Sequence, residues 1–311
     1  MARVTETRPP VAIVGAGAVA QTLGRLMADH GEPIVALAGR NRSRAEHAAR
    51  YISRPSGPGG PGRSIQVVEY SELPGLATRV LIAVSDQGIG PVAESLAAAG
   101  MRSGVALHTC GARGPDALGA LRNVGVACGM LHPLQTIMSA EQGVKSLADA
   151  TFGLSGDREA IEWAGEIVER VGIATGGQCR ALHIEADRLR YYHAGAVMAS
   201  NALVAALDAA VVLLAHAGVE RDTALRALGP LARTSLDNAL GSGPQAALTG
   251  PIVRGDAATV AAHREALRDV DPTVAKLYEA ATGHLLQLAK QRGLSEASVR
   301  AVELVLHKGS G

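Results

Sequence analysis

The chain has 311 residues, which is long enough for two domains that each bury a hydrophobic core. Its formal net charge of +1 gives no reason to expect binding to nucleic acid or to an acidic membrane surface. Aromatic residues make up 2% of the chain, too few for the stacking surfaces of proteins that bind single-stranded nucleic acid. The amino terminus has no apolar segment of the signal-peptide kind, and the cysteines, Cys110, Cys128 and Cys179, show no metal-ligand spacing. We therefore expect a reduced, cytoplasmic protein without a metal site.

The first motif lies near the amino terminus. Val11–Val14 predicts a short buried strand, Val19–His30 a helix and Pro33–Ala38 a second strand. The turn between the first strand and the helix reads G-x-G-x-x-A, in which Gly15 permits a tight turn and Gly17 lets a pyrophosphate approach the backbone. The free N–H groups at the start of the helix suit phosphate oxygens. The residues predicted to bind a dinucleotide here are Gly15, Gly17, Ala18 and Val19.

The end of the second strand indicates which dinucleotide is preferred. NAD-binding domains usually have Asp or Glu at this place, but here the sequence reads GRNRSR, residues 39–44. A guanidinium group and a serine hydroxyl suit a 2′-phosphate, which a carboxylate would repel. We therefore favour NADP(H) over NAD, with contacts from Arg40, Asn41 and Ser43. The alternative is a solvent-exposed basic turn that opens the next helix.

The following segments alternate between strand and helix. A helix over Arg42–Ile52 leads to a loop rich in proline and glycine over Ser53–Ser64. Further strands are predicted at Ile65–Val68, Arg79–Val84, Gly104–Leu107, Val126–Met130 and Thr151–Leu154. The helices among them are predicted at Ile89–Ala99, Asp116–Asn123 and Arg158–Val171. This alternation predicts an α/β fold with a doubly wound parallel sheet of the Rossmann type over residues 1–178.

Polar side chains follow several of these strands. Ligands of parallel sheets bind beyond the carboxyl ends of the strands, where the sequence places Ser85, Asp86, His108 and His132. We assign Ser85, Asp86 and His108 to the cofactor and His132 to the substrate. The alternative for each histidine is a side chain that is hydrogen-bonded to the backbone near its strand end.

Beyond residue 178 the pattern becomes helical, and residues 179–311 are predicted to form a helical domain for substrate binding and dimerisation. Its helices are predicted at Ala181–Gly218, Asp222–Asn238, Thr259–Leu267, Thr273–Arg292 and from a cap at Ser295 to His307. The apolar run Ala194–Ala217 is long enough to span a bilayer, but polar residues interrupt it, so a buried central helix of a soluble domain is favoured. Because the helical domain of residues 179–311 is small, it is not expected to cover the whole apolar run by itself, and we expect a homodimer.

Three polar residues share one face of this helix. His193, Ser200 and Asn201 lie at positions i, i+7 and i+8, within an otherwise apolar segment. A polar group among apolar neighbours needs a partner or a function. We assign His193 as proton donor or positioner of a carbonyl, with Asn201 and Ser200 as its hydrogen-bonding companions. The alternative is a buried hydrogen-bond network that holds helices together.

A second group of candidate substrate residues lies in and before a glycine- and proline-rich loop. Asn238, Thr249 and Arg254 are its members, and Arg254 is the cation near the end of the loop that suits a bidentate bond to a substrate carboxylate. The alternative is an Arg254–Asp256 ion pair with Asp256 as the cap of the next helix. No H-x-x-x-H spacing, G-x-S-x-G elbow or P-loop occurs in the sequence, so metal-dependent, serine hydrolase and kinase functions are disfavoured.

Four of these segments together resemble a known family. In chain order they are HTCGA (His108–Ala112), LHPLQT (Leu131–Thr136), YYHAGAVMASN (Tyr191–Asn201) and ALTGPIVRGD (Ala247–Asp256). They resemble the bacterial family that joins a Rossmann-like domain to the domain of unknown function 2520, and the resemblance runs from about Pro10 to about Tyr278. It implies the plan of pyrroline-5-carboxylate, 6-phosphogluconate and ketopantoate reductases, with an NADP-binding domain followed by helices that often mediate dimerisation.

The chain departs from the family pattern at several positions. Ala18 and Ala20 stand where the family usually has a basic residue and a glycine, and Cys110 stands where it has serine. Ketopantoate reductases of the usual type carry a lysine in the helix that enters the site, whereas the matching helix here offers His193. The role of His193 is therefore our own inference.

Taken together, the sequence predicts an NADP(H)-dependent oxidoreductase that reduces a small keto or imino acid, with ketopantoate as the first candidate. Two alternatives stay open. One is a dinucleotide-binding sensor or regulatory protein without turnover, since the fold alone does not make an enzyme. The other is a reductase that uses a deazaflavin cofactor.

Overall fold

A computed structural model describes residues 8–54 and 64–307 of the chain. Most of the predicted loop over Ser53–Ser64 lies outside the described residues. The chain forms two compact units, the first ending at Val197 and the second beginning at Met198.

The first unit contains one eight-stranded sheet. Its strands are β1 (Val11–Val14), β2 (Ile34–Ala38), β3 (Gln66–Val67), β4 (Arg79–Ile82), β5 (Val105–His108), β6 (Ala127–Pro133), β7 (Thr151–Gly156) and β8 (Arg180–His183). They lie in the order β3-β2-β1-β4-β5-β6-β7-β8, and every neighbouring pair is parallel except β6 and β7. The first six strands have the Rossmann order, so the predicted fold class is confirmed.

Helices cover both faces of this sheet. They are α1 (Ala18–Asp29), α2 (Arg42–Ser53), α3 (Asp86–Ala98), α4 (Gly119–Arg122), α5 (Ala140–Ser146) and α6 (Arg158–Thr175). Alternate side chains of β1 enter opposite cores, because Val11 and Ile13 belong to one buried cluster and Ala12 and Val14 to the other. Burial on both faces explains why the parallel strands read as continuous apolar runs.

Charged side chains lie against Trp163, which is fully buried in α6. The guanidinium of Arg79 lies 5.4 Å from the centre of its ring and forms an ion pair with Glu166 at 3.1 Å. Beside them Glu32, 2% exposed, forms an ion pair with Arg170 at 2.9 Å. Burial raises the pKa of Glu32 above its ordinary value, although the Arg170 charge opposes this.

The sheet differs from the sequence prediction at β7 and β8. β7 runs antiparallel to β6, because the intervening chain carries the short helix α5, which packs on α1, instead of a crossover helix. β8 occupies Arg180–His183, where a helix was predicted, and α7 (Leu189–His216) begins eight residues later than expected. All four residues of β8 are exposed, so it lacks the apolar signal of a buried strand. The predicted limit of the first domain, residue 178, precedes this last strand.

The second unit is helical, as predicted. After α7 it contains α8 (Arg221–Ser242), α9 (Pro244–Ala247), α10 (Ala257–Ala266), α11 (Pro272–Gln291) and α12 (Glu296–His307). One small core joins α10, α11 and α12 through residues that include Val260, Leu286 and Val302. A second core packs Leu267 and Val274 against the carboxyl-terminal part of α7.

Most of α7 is exposed, and the prediction of a buried central helix is wrong for the single chain. The segment Ala186–His216 contains an 18-residue window of mean hydropathy 2.0, of which 6% is buried. It is long and apolar enough to cross a membrane by length and composition. Met198 and Val204 are 67% and 70% exposed, so the described residues of one chain leave this apolar face uncovered.

Candidate dinucleotide and substrate site

The two glycines of the β1–α1 turn have different structural roles. Gly15 has φ +126°, and a Cβ there would lie 2.1 Å from the Ala83 carbonyl oxygen, so no other residue fits without movement of the backbone. Gly17 caps α1 in an extended conformation, and a Cβ there would meet no heavy atom within 4 Å. Gly15 therefore makes the turn, whereas Gly17 leaves space beside the helix N-terminus.

This turn forms one side of an open cleft of about 760 Å³ next to the carboxyl ends of β1, β2 and β4. The predicted cofactor residues that line it are Gly15, Gly17, Ala18, Val19, Arg40, Asn41 and Ser85. Ser43, Asp86 and His108 do not line it. Lining residues that the sequence analysis missed include Arg44, Tyr70, Gln87, Ser95, Thr109 and Ile137.

The cleft lining is basic. Arg40 and Arg44 line it, and the described lining contains no Asp or Glu. Asn41 has a structural role as well, because its side chain accepts the Arg44 backbone N–H at 2.9 Å and caps α2. Arg42 is instead paired with Glu46 at 3.2 Å and lies outside the lining. Two cations without a carboxylate suit an anionic group such as a phosphate.

His108 has the backbone-bonded position that was the alternative to a ligand contact. Its ring is fully buried, and Nδ1 accepts the Cys110 N–H at 3.3 Å while Nε2 lies 3.0 Å from the Gly114 carbonyl oxygen. Nε2 therefore carries the proton and donates it, which defines a neutral tautomer. Burial lowers the pKa of His108 and raises that of the Cys110 thiol. His108 thus holds the loop after β5 and does not line the cleft.

His132 and His193 lie together, and Tyr192 joins them. The Tyr192 Oη lies 2.8 Å from His132 Nδ1, and the two rings meet edge to face with centres 5.6 Å apart. The ring of His193 lies 6.1 Å from that of His132. Tyr192 was not predicted as a site residue, although the YYH segment that contains it supplied the candidate His193.

Two glycines provide space for these rings. A Cβ at Gly111 would lie 2.8 Å from the His132 ring, and a Cβ at Gly153 would lie 2.5 Å from Tyr192 Oη. Gly153 is the residue opposite His132 in the β6–β7 ladder, so the strand register brings the phenol and the imidazole together. Burial, with a smaller effect of the His193 charge, lowers the pKa of His132 to about 4. Burial also raises the pKa of Tyr192 to about 12, so a protonated phenol faces a neutral imidazole at neutral pH.

The remaining candidate residues lie in the second unit. Ser200 Oγ donates to Asn201 Oδ1 at 2.9 Å on α7. Asn238 is exposed on α8, and Thr249 and Arg254 are exposed in the segment before α10. Asp256 accepts the Thr259 N–H at 3.0 Å and caps α10, as its structural alternative predicted.

Among residues 8–54 and 64–307, no group of three or more His, Cys, Asp or Glu side chains is arranged to hold a metal ion. The three cysteines are free thiols, and Cys110 and Cys128 are buried.

The strand order and the glycine turn define the first unit as a Rossmann-type domain, the class of fold that binds dinucleotides. Residues 150–285 match the family described as the domain of unknown function DUF2520, so the predicted resemblance is confirmed over this part of the chain. No curated protein matches the sequence at a significant level.

Solved structures share the fold over nearly the whole chain. Protein TM1727 of Thermotoga maritima is 21% identical with a TM-score of 0.67, covering 91% of this chain and 99% of that one. BF3122 of Bacteroides fragilis, assigned as an NADP oxidoreductase, is 18% identical with a TM-score of 0.67, covering 90% and 98%. An imine reductase of Streptomyces aurantiacus is 14% identical with a TM-score of 0.61, covering 94% and 99%. At these identities the similarity shows the fold.

Proposed function

We propose that this protein is an NADP(H)-dependent oxidoreductase that reduces the C=O or C=N group of a small keto or imino acid. The observation that carries the proposal is the cleft, whose lining contains both the open side of Gly17 at the start of α1 and the side chains of Arg40 and Arg44. Backbone N–H groups of residues 17–19 would hold the pyrophosphate, and the two arginines would hold the 2′-phosphate. When bound, the cofactor supplies hydride.

The reduction also needs a proton and a group that holds the substrate acid. His193, beside His132 in the first unit, would supply or relay the proton. In the second unit, Ser200 and Asn201 are the candidates for orienting the carbonyl, and Arg254, Asn238 and Thr249 are the candidates for binding the carboxylate. In the first unit, His132 is the candidate substrate residue. Arg254 is exposed, as a residue that binds a ligand from solvent must be.

The structural neighbours support the choice of substrate class. The names of two of them, the imine reductase and a Plasmodium falciparum pyrroline carboxylate reductase with NADP bound, describe chemistry at C=N groups. The latter is 12% identical with a TM-score of 0.51. Keto acids, with ketopantoate first, and cyclic imino acids are therefore the panel to test.

The proposal is tested by titrating NADPH and NADH into the protein and following its melting temperature, which rises when a ligand binds only the native state. We expect NADPH to bind more tightly than NADH. Arg40→Ala and Arg44→Ala should each weaken NADPH binding about 10-fold, the effect of losing one charged hydrogen bond, and leave NADH binding unchanged. Arg42→Ala is the matched control, because Arg42 is paired with Glu46 outside the cleft.

Absence of binding by either nucleotide would overturn the proposal and favour a deazaflavin, which the same titration tests directly. Binding of NADPH without oxidation of the nicotinamide by any acid of the panel would favour a sensor. If the protein is a sensor, His193→Ala should leave the NADPH affinity intact, and neither the wild type nor the variant should show turnover. If the protein is an enzyme, His193→Ala should lower turnover before it affects NADPH affinity.

We further propose that two chains associate through α7 and α8 into a soluble, cytoplasmic homodimer. Large apolar side chains on these helices are exposed, with Val204 70% and Leu240 76% accessible in the single chain. A second copy would cover these side chains and remove apolar area from water.

The homodimer is tested by light scattering after size-exclusion chromatography. Val204→Glu should shift the protein to a monomer, because a carboxylate would be buried in the interface. Leu304→Glu, at a 66% exposed position on α12, is the control. A monomeric wild-type protein, or one that sediments with phospholipid vesicles, would overturn this proposal.

A further inference from the structure

Tyr192 has no role in the function proposed above, yet its phenol is hydrogen-bonded to His132, a candidate substrate residue. We propose that Tyr192 is the proton donor to the substrate's carbonyl oxygen or imine nitrogen, and that His132 returns a proton to it. This inference rests on the proposed function and changes the part of His193 to that of a neighbour of the relay.

Glycines and the strand register position the Tyr192 and His132 rings. Tyr192 Oη lies 2.8 Å from His132 Nδ1. A Cβ at Gly111 would force the His132 ring to shift, and a Cβ at Gly153 would force the Tyr192 ring to shift. Gly153 is opposite His132 across the β6–β7 ladder, and Tyr192 comes from the first turn of α7. Three separate elements thus fix one phenol–imidazole contact, which is the positioning that a proton donor needs.

The pair also lies next to the nucleotide cleft within the first unit. Thr109 lines the cleft, and Gly111, two residues further along the same loop, lies against the His132 ring. On the neighbouring strand end Ser85 lines the cleft, and the charge of the next residue, Asp86, acts on the pKa of His132. Two segments, the loop after β5 and the end of β4, thus connect the cleft lining with the surroundings of the Tyr192–His132 pair.

The proton balance follows from a neutral imidazole beside a protonated phenol. In the Nδ1–H tautomer, His132 donates to Tyr192 Oη, which leaves the phenol proton free to point at the substrate. Hydride adds to the substrate carbon, the π electrons move to its oxygen or nitrogen, and that atom takes the phenol proton as the Tyr192 O–H bond breaks. Nε2 of His132 then takes up a solvent proton, and the Nδ1 proton of the resulting imidazolium moves to the phenolate oxygen. Exchange with solvent returns the remaining ring proton from Nε2 to Nδ1, which restores the starting state. The net reaction consumes one hydride and one solvent proton.

Tyr192→Phe tests the proposal, and Tyr191→Phe is the matched control because the neighbouring side chain is 70% exposed. We expect Tyr192→Phe to lower kcat about 100- to 1000-fold, within the range of general acid catalysis, with NADPH Kd and melting temperature little changed. Tyr191→Phe should keep wild-type kcat. Wild-type kcat in a Tyr192→Phe protein that binds NADPH normally would overturn the proposal.

A second measurement does not depend on turnover, and its first arm needs only the wild-type protein. Nitrogen-15 NMR of the His132 ring in the wild-type protein should show the proton on Nδ1, and Tyr192→Phe should move it toward Nε2. A proton on Nε2 in the wild type would mean that the phenol proton is held by His132, and it would overturn the proposal. A wild type that binds NADPH without reducing any acid refutes the proposed function instead, so the two failures are distinguishable.

Discussion

Replacing Gly17 with alanine should separate nucleotide binding from folding. Gly17 has φ −79° and ψ 177°, which alanine adopts without strain, and its Cβ would meet no heavy atom within 4 Å. Alanine is a poorer helix cap than glycine, which costs some tenths of a kcal/mol to about 1 kcal/mol. It also reduces the entropy of the unfolded chain, which stabilises the fold by about 0.4–1 kcal/mol. We therefore expect the free energy of unfolding to change by less than about 1 kcal/mol.

Nucleotide binding should respond far more strongly. The added methyl group would stand where the pyrophosphate approaches the backbone N–H groups at the start of α1. Loss of one charged hydrogen bond there costs about 1.5–3 kcal/mol, which is about a 10- to 150-fold increase in Kd. Calorimetric titration with NADPH, combined with urea unfolding, measures both quantities on one sample.

Gly15→Ala is the contrasting control. Its Cβ would lie 2.1 Å from the Ala83 carbonyl oxygen at φ +126°, so the backbone itself must move. We expect a loss of at least about 2–3 kcal/mol in the free energy of unfolding. Unchanged NADPH affinity in a folded Gly17→Ala protein would refute our account of the cleft.

Three further predictions concern stability and reactivity. The pKa of His132 is about 4 in the folded protein and 6.5 in the unfolded chain, so the unfolded state binds more protons between these values. The free energy of unfolding should therefore fall as the pH drops from about 6.5 to about 4. In urea unfolding experiments, His132→Asn should reduce this loss. Arg170→Met leaves the buried Glu32 carboxylate without its ion-pair partner and should lower the free energy of unfolding by about 3 kcal/mol, measured by the same method. Adding Glu32→Gln should restore much of this loss. Burial raises the pKa of Cys128 to about 12, so its thiol should react with a thiol reagent only on unfolding, as mass spectrometry of the labelled peptide would show.

Each of these predictions has a contradicting result. An unfolding free energy that falls equally with pH in the His132→Asn protein would mean that other groups carry the pH dependence. Wild-type stability of Arg170→Met would show that Glu32 takes up a proton at no cost. Fast labelling of Cys128 under native conditions would show that β6 opens to solvent.

The β1–α1–β2 region could be read from the sequence because local signals agree there. The apolar run, the glycine turn and the small-residue helix each have one structural solution, and the strand-helix alternation fixed the Rossmann order of six strands. The antiparallel direction of β7 could not be predicted, because the apolar pattern of a strand is the same whether it runs parallel or antiparallel to its neighbour. The segment between β6 and β7 lacks the crossover helix that a parallel connection needs. β8 was missed because an exposed edge strand of four residues has no apolar periodicity.

The candidate site was predictable only in part for the same reason. The residues of the glycine turn and Arg40 follow from their place after β1 and β2, which local pattern determines. The Tyr192–His132 contact depends on the β6–β7 register and on the space beside Gly153. No local sequence pattern distinguishes Gly153 from other glycines. His108 illustrates the reverse case, because a strand-end histidine reads the same whether it faces a ligand or the carbonyl of Gly114.

The scarcity of aromatic residues makes the folding of the first unit directly observable by fluorescence. Trp163 is the single tryptophan of the chain, and it is fully buried in the first unit with the Arg79 guanidinium over its ring. Its emission should shift to longer wavelength only when this unit opens. Far-ultraviolet circular dichroism, by contrast, is sensitive to the helices of both units, including α8–α12. Coincident transitions of the two signals would mean that the units unfold cooperatively, and separate transitions would give each unit its own stability from one unlabelled sample.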